Sequence, residues 1–234
     1  MDPQSTARNG SAGTSMHAPL HRRKFLLFSG AAAATLVFGQ ACKKKDDPVT
    51  PMANAVNLGS GDTGVLNYAY ALEQLEAAFY TQVMLTPFAG MSALEAEYLR
   101  DIRDHEIAHR DFFKAALGSN AIPDLQVNFS SINFSSRDSV LPTAKAFEDL
   151  GVSAYNGAGK LLTSADYLTL AGKIVSVEAR HAALIRDLIT NGSFANGEVI
   201  DANGLDKSRT PAEVLAIAGA YVTTPINASN LPTN

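Results

Sequence analysis

One pattern occurs twice in this chain and constrains it more than any other feature. Glu73 is followed seven residues on by Tyr80 and then by Glu106-x-x-His109; Glu148 is followed by Tyr155 and then by Glu178-x-x-His181. The first glutamates of the two copies lie 75 residues apart. Seven residues is close to two helical turns and three is close to one, so each pair shares a helix face. Four helices carrying Glu, Glu-x-x-His, Glu and Glu-x-x-His bring four carboxylates and two imidazoles to one core. That donor set suits two divalent cations.

Chance is a weak competitor. Three histidines follow Cys42, and two of them stand three residues after a glutamate. Between residues 141 and 190 the only glutamates are Glu148 and Glu178, and both fall on apolar stripes. An ionised carboxylate buried alone costs several kcal/mol or takes up a proton; a bound cation removes that cost. A single Glu-x-x-His would read as a surface pair. The ordered four-part pattern reads as a ligand set. Symmetry with Glu148–Tyr155 selects Glu73 on the first helix, leaving Glu76 on the same face as a supporting group or as the alternative ligand. Tyr80 and Tyr155 are read as hydrogen-bonding the ligand carboxylates, lining an oxidant pocket, or simply filling the core. His105 projects about 100° from Glu106 and is expected outside the ligand set.

Helical spacing sets out an all-α chain. Helix A is expected after Gly61-Asp62 and up to Leu85, with Leu66, Ala69, Glu73, Glu76, Tyr80 and Met84 inward. Helix B runs from an N-cap at Ser92 to Leu117, stopped by Gly118, with Tyr98, Ile102, Glu106, His109, Phe113 and Ala116 inward. The connection from Ser119 to about Val140 is too long for a hairpin turn, and its alternation at 127–134 suggests an extended path across the bundle. Helix C is expected from Leu141, with Pro142 in its first turn, to about Leu162. Helix D spans Ser164 to Ile189, with Leu168, Ala171, Val175, Glu178, His181, Ile185 and Leu188 inward. A short fifth helix follows Thr210, whose hydroxyl and Glu213 form a capping pair. Two short loops and one long B–C crossover give a four-helix bundle over 61–192 and a C-terminal extension over 193–234.

The 234 residues, 46% hydrophobic, suffice for one domain with a sizeable core. A net charge of −4, without a basic aromatic patch, argues against nucleic acid as a partner. The single cysteine, Cys42, excludes an internal disulfide and a cysteine metal cage. Residues 1–41 read as an address: His21-Arg22-Arg23-Lys24-Phe25-Leu26 resembles a twin-arginine export signal, and the apolar run from Phe25 to Gly39 is too short for a membrane span. Gly39-Gln40-Ala41-Cys42 resembles a lipoprotein processing site, with Gly39 where leucine is usual, and residues 42–60 then form a tether. The expectation is an exported protein, periplasmic or held at the bacterial envelope membrane through a lipidated Cys42. An uncleaved anchor with an incidental cysteine is the alternative.

The stretches Leu72–Tyr80 and Phe147–Tyr155, with the two Glu-x-x-His motifs, resemble the exported bacterial ferritin-like domain family of the ferritin-like di-iron carboxylate superfamily. The resemblance covers about residues 60–220. It implies a ferritin-like four-helix bundle with a dinuclear centre, two Fe ions or alternatively Mn, held by Glu73, Glu106, His109, Glu148, Glu178 and His181. Its partners would be the metal ions and O₂ or peroxide, and a dimer is compatible with it. Superfamily members differ in reaction, so fold alone does not choose one. Fe(II) oxidation by O₂ or peroxide is the first expectation. A non-catalytic exported metal-holding or stress-survival protein, and a manganese enzyme disproportionating peroxide, are the alternatives.

Overall fold

A computed structural model describes residues 54–233. The expectations resting on Arg22, Arg23 and Cys42 lie outside the described residues. Within them are five α-helices: α1 (Gly61–Leu85), α2 (Ala93–Leu117), α3 (Arg137–Ala158), α4 (Ala165–Ile189) and α5 (Pro211–Ala218). Two short strands, β1 (Val56–Asn57) and β2 (Ile226–Asn227), pair in parallel. α1 packs chiefly on α2, α3 on α4, and α1 meets α3, so the all-α bundle read from the helical spacing is the architecture found. Among the described residues no helix is long and apolar enough to cross a membrane.

The helix ends follow local chemistry. The Ser92 side chain accepts from Glu95 N–H while Glu95 reaches back to Ser92, a reciprocal cap repeated by Thr210 and Glu213 on α5. Ser164 caps α4 through Tyr167 N–H. Asp62, in the first turn of α1, accepts from Thr163 N–H at 2.7 Å and Ser164 N–H at 2.9 Å, tying the α3–α4 turn to α1. α3 begins a turn before Leu141, so Pro142 lies in its second turn rather than its first. The donor that proline lacks would have served the Asp138 carbonyl; Asp138 is exposed, and water can take that role.

α1 is no ordinary amphipathic helix. Seventeen of its 25 residues are buried, against five of 25 in α2, because other chain segments cover its outer side. The crossover is held there by buried amides: Asn67 accepts from Ile122 N–H at 3.0 Å, and Gln74 accepts from Leu125 N–H at 2.7 Å. Val127 then bridges antiparallel to Val222, as the expected extended path requires, before the chain turns at Phe129–Ile132. Phe79 of α1 meets Phe129 and Phe134 of the crossover and Phe147 of α3, with ring centroids 5.0–5.9 Å apart. The C-terminal segment approaches α3 closely: Arg209 N–H donates to Ser153 O at 3.0 Å, and a side chain at Gly157 would strike the Arg209 carbonyl.

The inward stripe of α4 departs from the expected one. It runs Ile174, Glu178, His181, Ile185, while Leu168 is 47% exposed. At about 100° per residue, Leu168 stands about 140° round the helix from His181. Tyr167, one residue earlier and half-buried, stands about 40° from His181 and so nearer the core face. On α2, Leu99 and Leu117 lie about 20° from Glu106 whereas Tyr98 and Ala116 lie about 80° away, so Leu99 and Leu117 are the ones in the core.

Candidate metal centre

The helices bring Glu73, Glu106, His109, Glu148, Glu178 and His181 together at the centre of the bundle. All four glutamates are 0% exposed, His181 is 4% exposed, and the His109 side chain is 13% exposed. They form two overlapping groups that could each hold a metal ion: Glu73, Glu106, His109 and Glu178, and Glu106, Glu148, Glu178 and His181. Within each group the nearest ligand atoms all lie within 4.8 Å of one another.

The oxygens are shared out between these two halves. Glu178 places Oε1 2.9 Å from His109 Nδ1 and Oε2 3.9 Å from His181 Nδ1. Glu106 does the reverse, with Oε1 2.8 Å from His181 Nδ1 and Oε2 3.5 Å from His109 Nδ1. The two Glu-x-x-His glutamates therefore span both halves. Glu73 and Glu148 each serve one half, with Oε2 3.5 Å from His109 Nδ1 and from His181 Nδ1 respectively. Their other oxygens are held from across the bundle, where Tyr80 of α1 donates to Glu148 Oε1 and Tyr155 of α3 donates to Glu73 Oε1.

A metal fits this arrangement for a specific reason. Glu73 Oε2, Glu106 Oε1 and Oε2, Glu148 Oε2, Glu178 Oε1 and Oε2, His109 Nδ1 and His181 Nδ1 are all buried without a hydrogen-bond partner. The short N···O separations are thus close approaches without hydrogen-bond geometry. Neighbouring ligands of one cation held at about 2.1 Å stand about 3.0 Å apart across an octahedral edge, comparable to the 2.8 and 2.9 Å found here. Oxygen and imidazole donors admit iron, manganese or zinc.

The electrostatics carry the same imprint. Burial pushes Glu178 well above the usual carboxylate range, and the charges of Glu106 and Glu73 add to it. Burial pulls the His109 imidazolium down, but Glu106, Glu178 and Glu73 outweigh it and hold its pKa up to about 12. His181 is likewise held up to about 10, with Glu106 and Glu148 overcoming burial. Burial and then Glu148 raise Tyr80 well above its usual range, and burial and then Glu73 do so for Tyr155, so both remain protonated donors.

His105 is exposed, as expected, and stands behind His181: its Nδ1 lies 2.9 Å from His181 Nε2. That contact leaves His181 Nδ1 directed to the carboxylates and steadies the ring. Glu76 is buried beside the cluster, opposite Gly151 of α3. Gly151 escaped the sequence reading, although the 75-residue offset that relates Glu73 to Glu148 also relates Glu76 to Gly151.

A helical bundle with a crossover between its second and third helices, built around a carboxylate–imidazole core, defines the class of protein. A family model for the ferritin-like domain matches residues 61–191, more than half of the chain, and the chain belongs to that family. No curated protein matches it.

Proposed function

We propose that this chain is an exported protein with a dinuclear metal centre that oxidises Fe(II) with O₂ or peroxide. Glu73, Glu106, His109, Glu148, Glu178 and His181 would be the ligands, with iron as the favoured metal. The observation that supports this most is the sharing of Glu106 and Glu178 between two four-residue groups, since carboxylates that face both halves suit a pair of ions. A bound pair of redox-active ions would supply the electrons that an oxidant takes up. The chain's own part is geometric and electrostatic. Four carboxylates offset the charge of two divalent cations, Tyr80 and Tyr155 fix the outer carboxylates, and the apolar helices around them exclude water.

Twin-arginine export moves folded proteins, so a centre loaded before export would suit the address read in residues 1–41, with Cys42 as a lipid anchor. Lysine at both Arg22 and Arg23 should stop export, and Cys42→Ala should release a soluble exported form, both read by cell fractionation.

The test of function is metal analysis of protein from its native compartment, followed by O₂ and peroxide consumption on adding Fe(II). Two metal ions per chain and Fe(II) oxidation faster than in buffer are expected, with His105→Ala, which removes the hydrogen bond behind His181, lowering the rate. Binding without accelerated oxidation would leave a metal-holding protein, and rapid peroxide disproportionation by the manganese form alone would replace iron oxidation with that reaction.

A further inference from the structure

A cavity of about 20 Å³ lies inside the bundle, between α1 and α3. That exceeds the ~10–15 Å³ that one water-sized molecule needs. Its lining covers two turns of α1, from Val65 to Leu72. One end lies at Leu162 and Ala171, both half-buried, beside the α3–α4 turn that Asp62 ties to α1. The other end lies at Leu72 and Tyr155, and the Tyr155 hydroxyl donates to Glu73. The cavity therefore leads from the turn to a residue that holds a candidate ligand.

The repeat shows how this space arises. By the 75-residue offset that relates Glu73 to Glu148, Phe79, Val83 and Met84 correspond to Ala154, Ala158 and Gly159. All three of the smaller residues line the cavity. In the first copy Phe79 packs edge-on against Tyr80 at 5.1 Å, and Tyr80 is 0% exposed. In the second copy the bulk is missing, and Tyr155 is 8% exposed. The two braces are alike in chemistry, yet only one of them opens onto a cavity.

The lining is mostly apolar. Of its two tyrosine hydroxyls, that of Tyr155 is spent on Glu73 and that of Tyr68 is itself fully buried. A water in such a place needs about two to four polar partners, and peroxide, polar at both ends, also pays for unmet hydrogen bonds. Dioxygen needs none. We propose that this cavity takes up dioxygen and delivers it past Tyr155 to the Glu73 side of the centre, making O₂ rather than peroxide the oxidant. The inference rests on the proposed function and narrows it.

The first readout is independent of iron. NMR of the full metal-free chain, with labelled alanine methyls and under O₂ pressure, detects the faster relaxation of methyls that meet this paramagnetic gas. Ala69, Ala154 and Ala158 line the cavity and should relax faster than Ala144, which is fully buried away from it. Ala158→Val, the first copy's residue, should fill the space and abolish the effect at Ala69 and Ala154. Leu66→Ala should widen the space and strengthen the effect, with circular dichroism confirming the fold of both variants. In the Fe(II)-loaded chain, Ala158→Val should slow oxidation by O₂ several-fold and leave oxidation by peroxide at the wild-type rate. Wild-type relaxation at the cavity alanines no faster than at Ala144 would overturn the inference and leave the proposed function standing. So would an Ala158→Val variant that reacts with O₂ as fast as wild type, or that is slowed equally with both oxidants. A wild type that oxidises Fe(II) with neither oxidant would overturn the proposed function, and delivery through this cavity with it.

Discussion

Tyr80 of α1 donates a 2.5 Å hydrogen bond to Glu148 Oε1 of α3, and the same bond runs in the opposite sense from Tyr155 of α3 to Glu73 of α1. The two helices are therefore cross-braced through the residues that face the core. Each brace occupies the carboxylate oxygen turned away from the imidazoles and leaves the other free for a cation.

Tyr80→Phe should remove this brace while keeping the ring packed against Phe79, which it meets edge-on at 5.1 Å. Losing a hydrogen bond to a buried carboxyl costs about 1–3 kcal/mol. Urea unfolding of the metal-free variant should show that loss, and Tyr155→Phe a similar one. Unchanged unfolding midpoints in both would mean the braces carry no stability.

Metal-free stability should fall with rising pH, and bound metal should offset more of that fall as pH rises. In the metal-free protein Glu76 and Glu178 are held above their usual range, chiefly by burial, and His109 and His181 are held up to about 12 and about 10 by the carboxylates that outweigh burial. Raised values mean that the folded state binds more protons than the unfolded one. That stability is fully present below the unfolded pKa and is lost as pH rises through the folded value. The metal-free melting temperature should therefore fall from about pH 5 to about pH 8. A cation competes with the same protons, so metal affinity should rise over that range. Calorimetric scans of both forms should show the gap between them widening with pH; at metal a hundredfold above Kd it reaches about 2.7 kcal/mol in free energy. A gap that narrows with rising pH would contradict this account.

Phe79 joins α1, α3 and the crossover in one aromatic cluster, and Phe147 carries the contact on to Tyr221 at 4.8 Å. Phe79→Ala should cost about 3–5 kcal/mol by chemical denaturation, the usual range for a fully buried phenylalanine. A loss under about 1 kcal/mol would show that the crossover is held without this cluster.

Much of the fold was legible because its signals are local. The caps at Ser92 and Thr210, the helical spacing of Glu106 with His109, and the length of the crossover are each set by neighbouring residues. The six clustered side chains were legible for a further reason: a repeated pattern of acids on apolar stripes has few structural uses. What the sequence did not disclose depends on contacts between distant segments. The complete burial of α1 requires the crossover and C-terminal segment to lie across it. The exposure of Leu168 is the exception, since its place about 140° round the helix from His181 is set by local geometry. The crossed pairing of Tyr80 with Glu148, in place of a contact within each repeat, appears only when α1 and α3 face each other. The parallel pairing of Val56 with Ile226 joins residues 170 positions apart, and two-residue strands leave no alternation to read.

The most direct test of the dinuclear centre is anaerobic titration of the metal-free chain with Fe(II), comparing the glutamates that span both halves with those that serve one. Wild type should bind two Fe(II). Glu106→Ala and Glu178→Ala should impair both sites, since each removes oxygens from both halves, whereas Glu73→Ala and Glu148→Ala should each impair chiefly one. Failure of the wild type to bind Fe(II), or wild-type stoichiometry and affinity in both Glu106→Ala and Glu178→Ala, would contradict a two-ion centre in the core of this bundle.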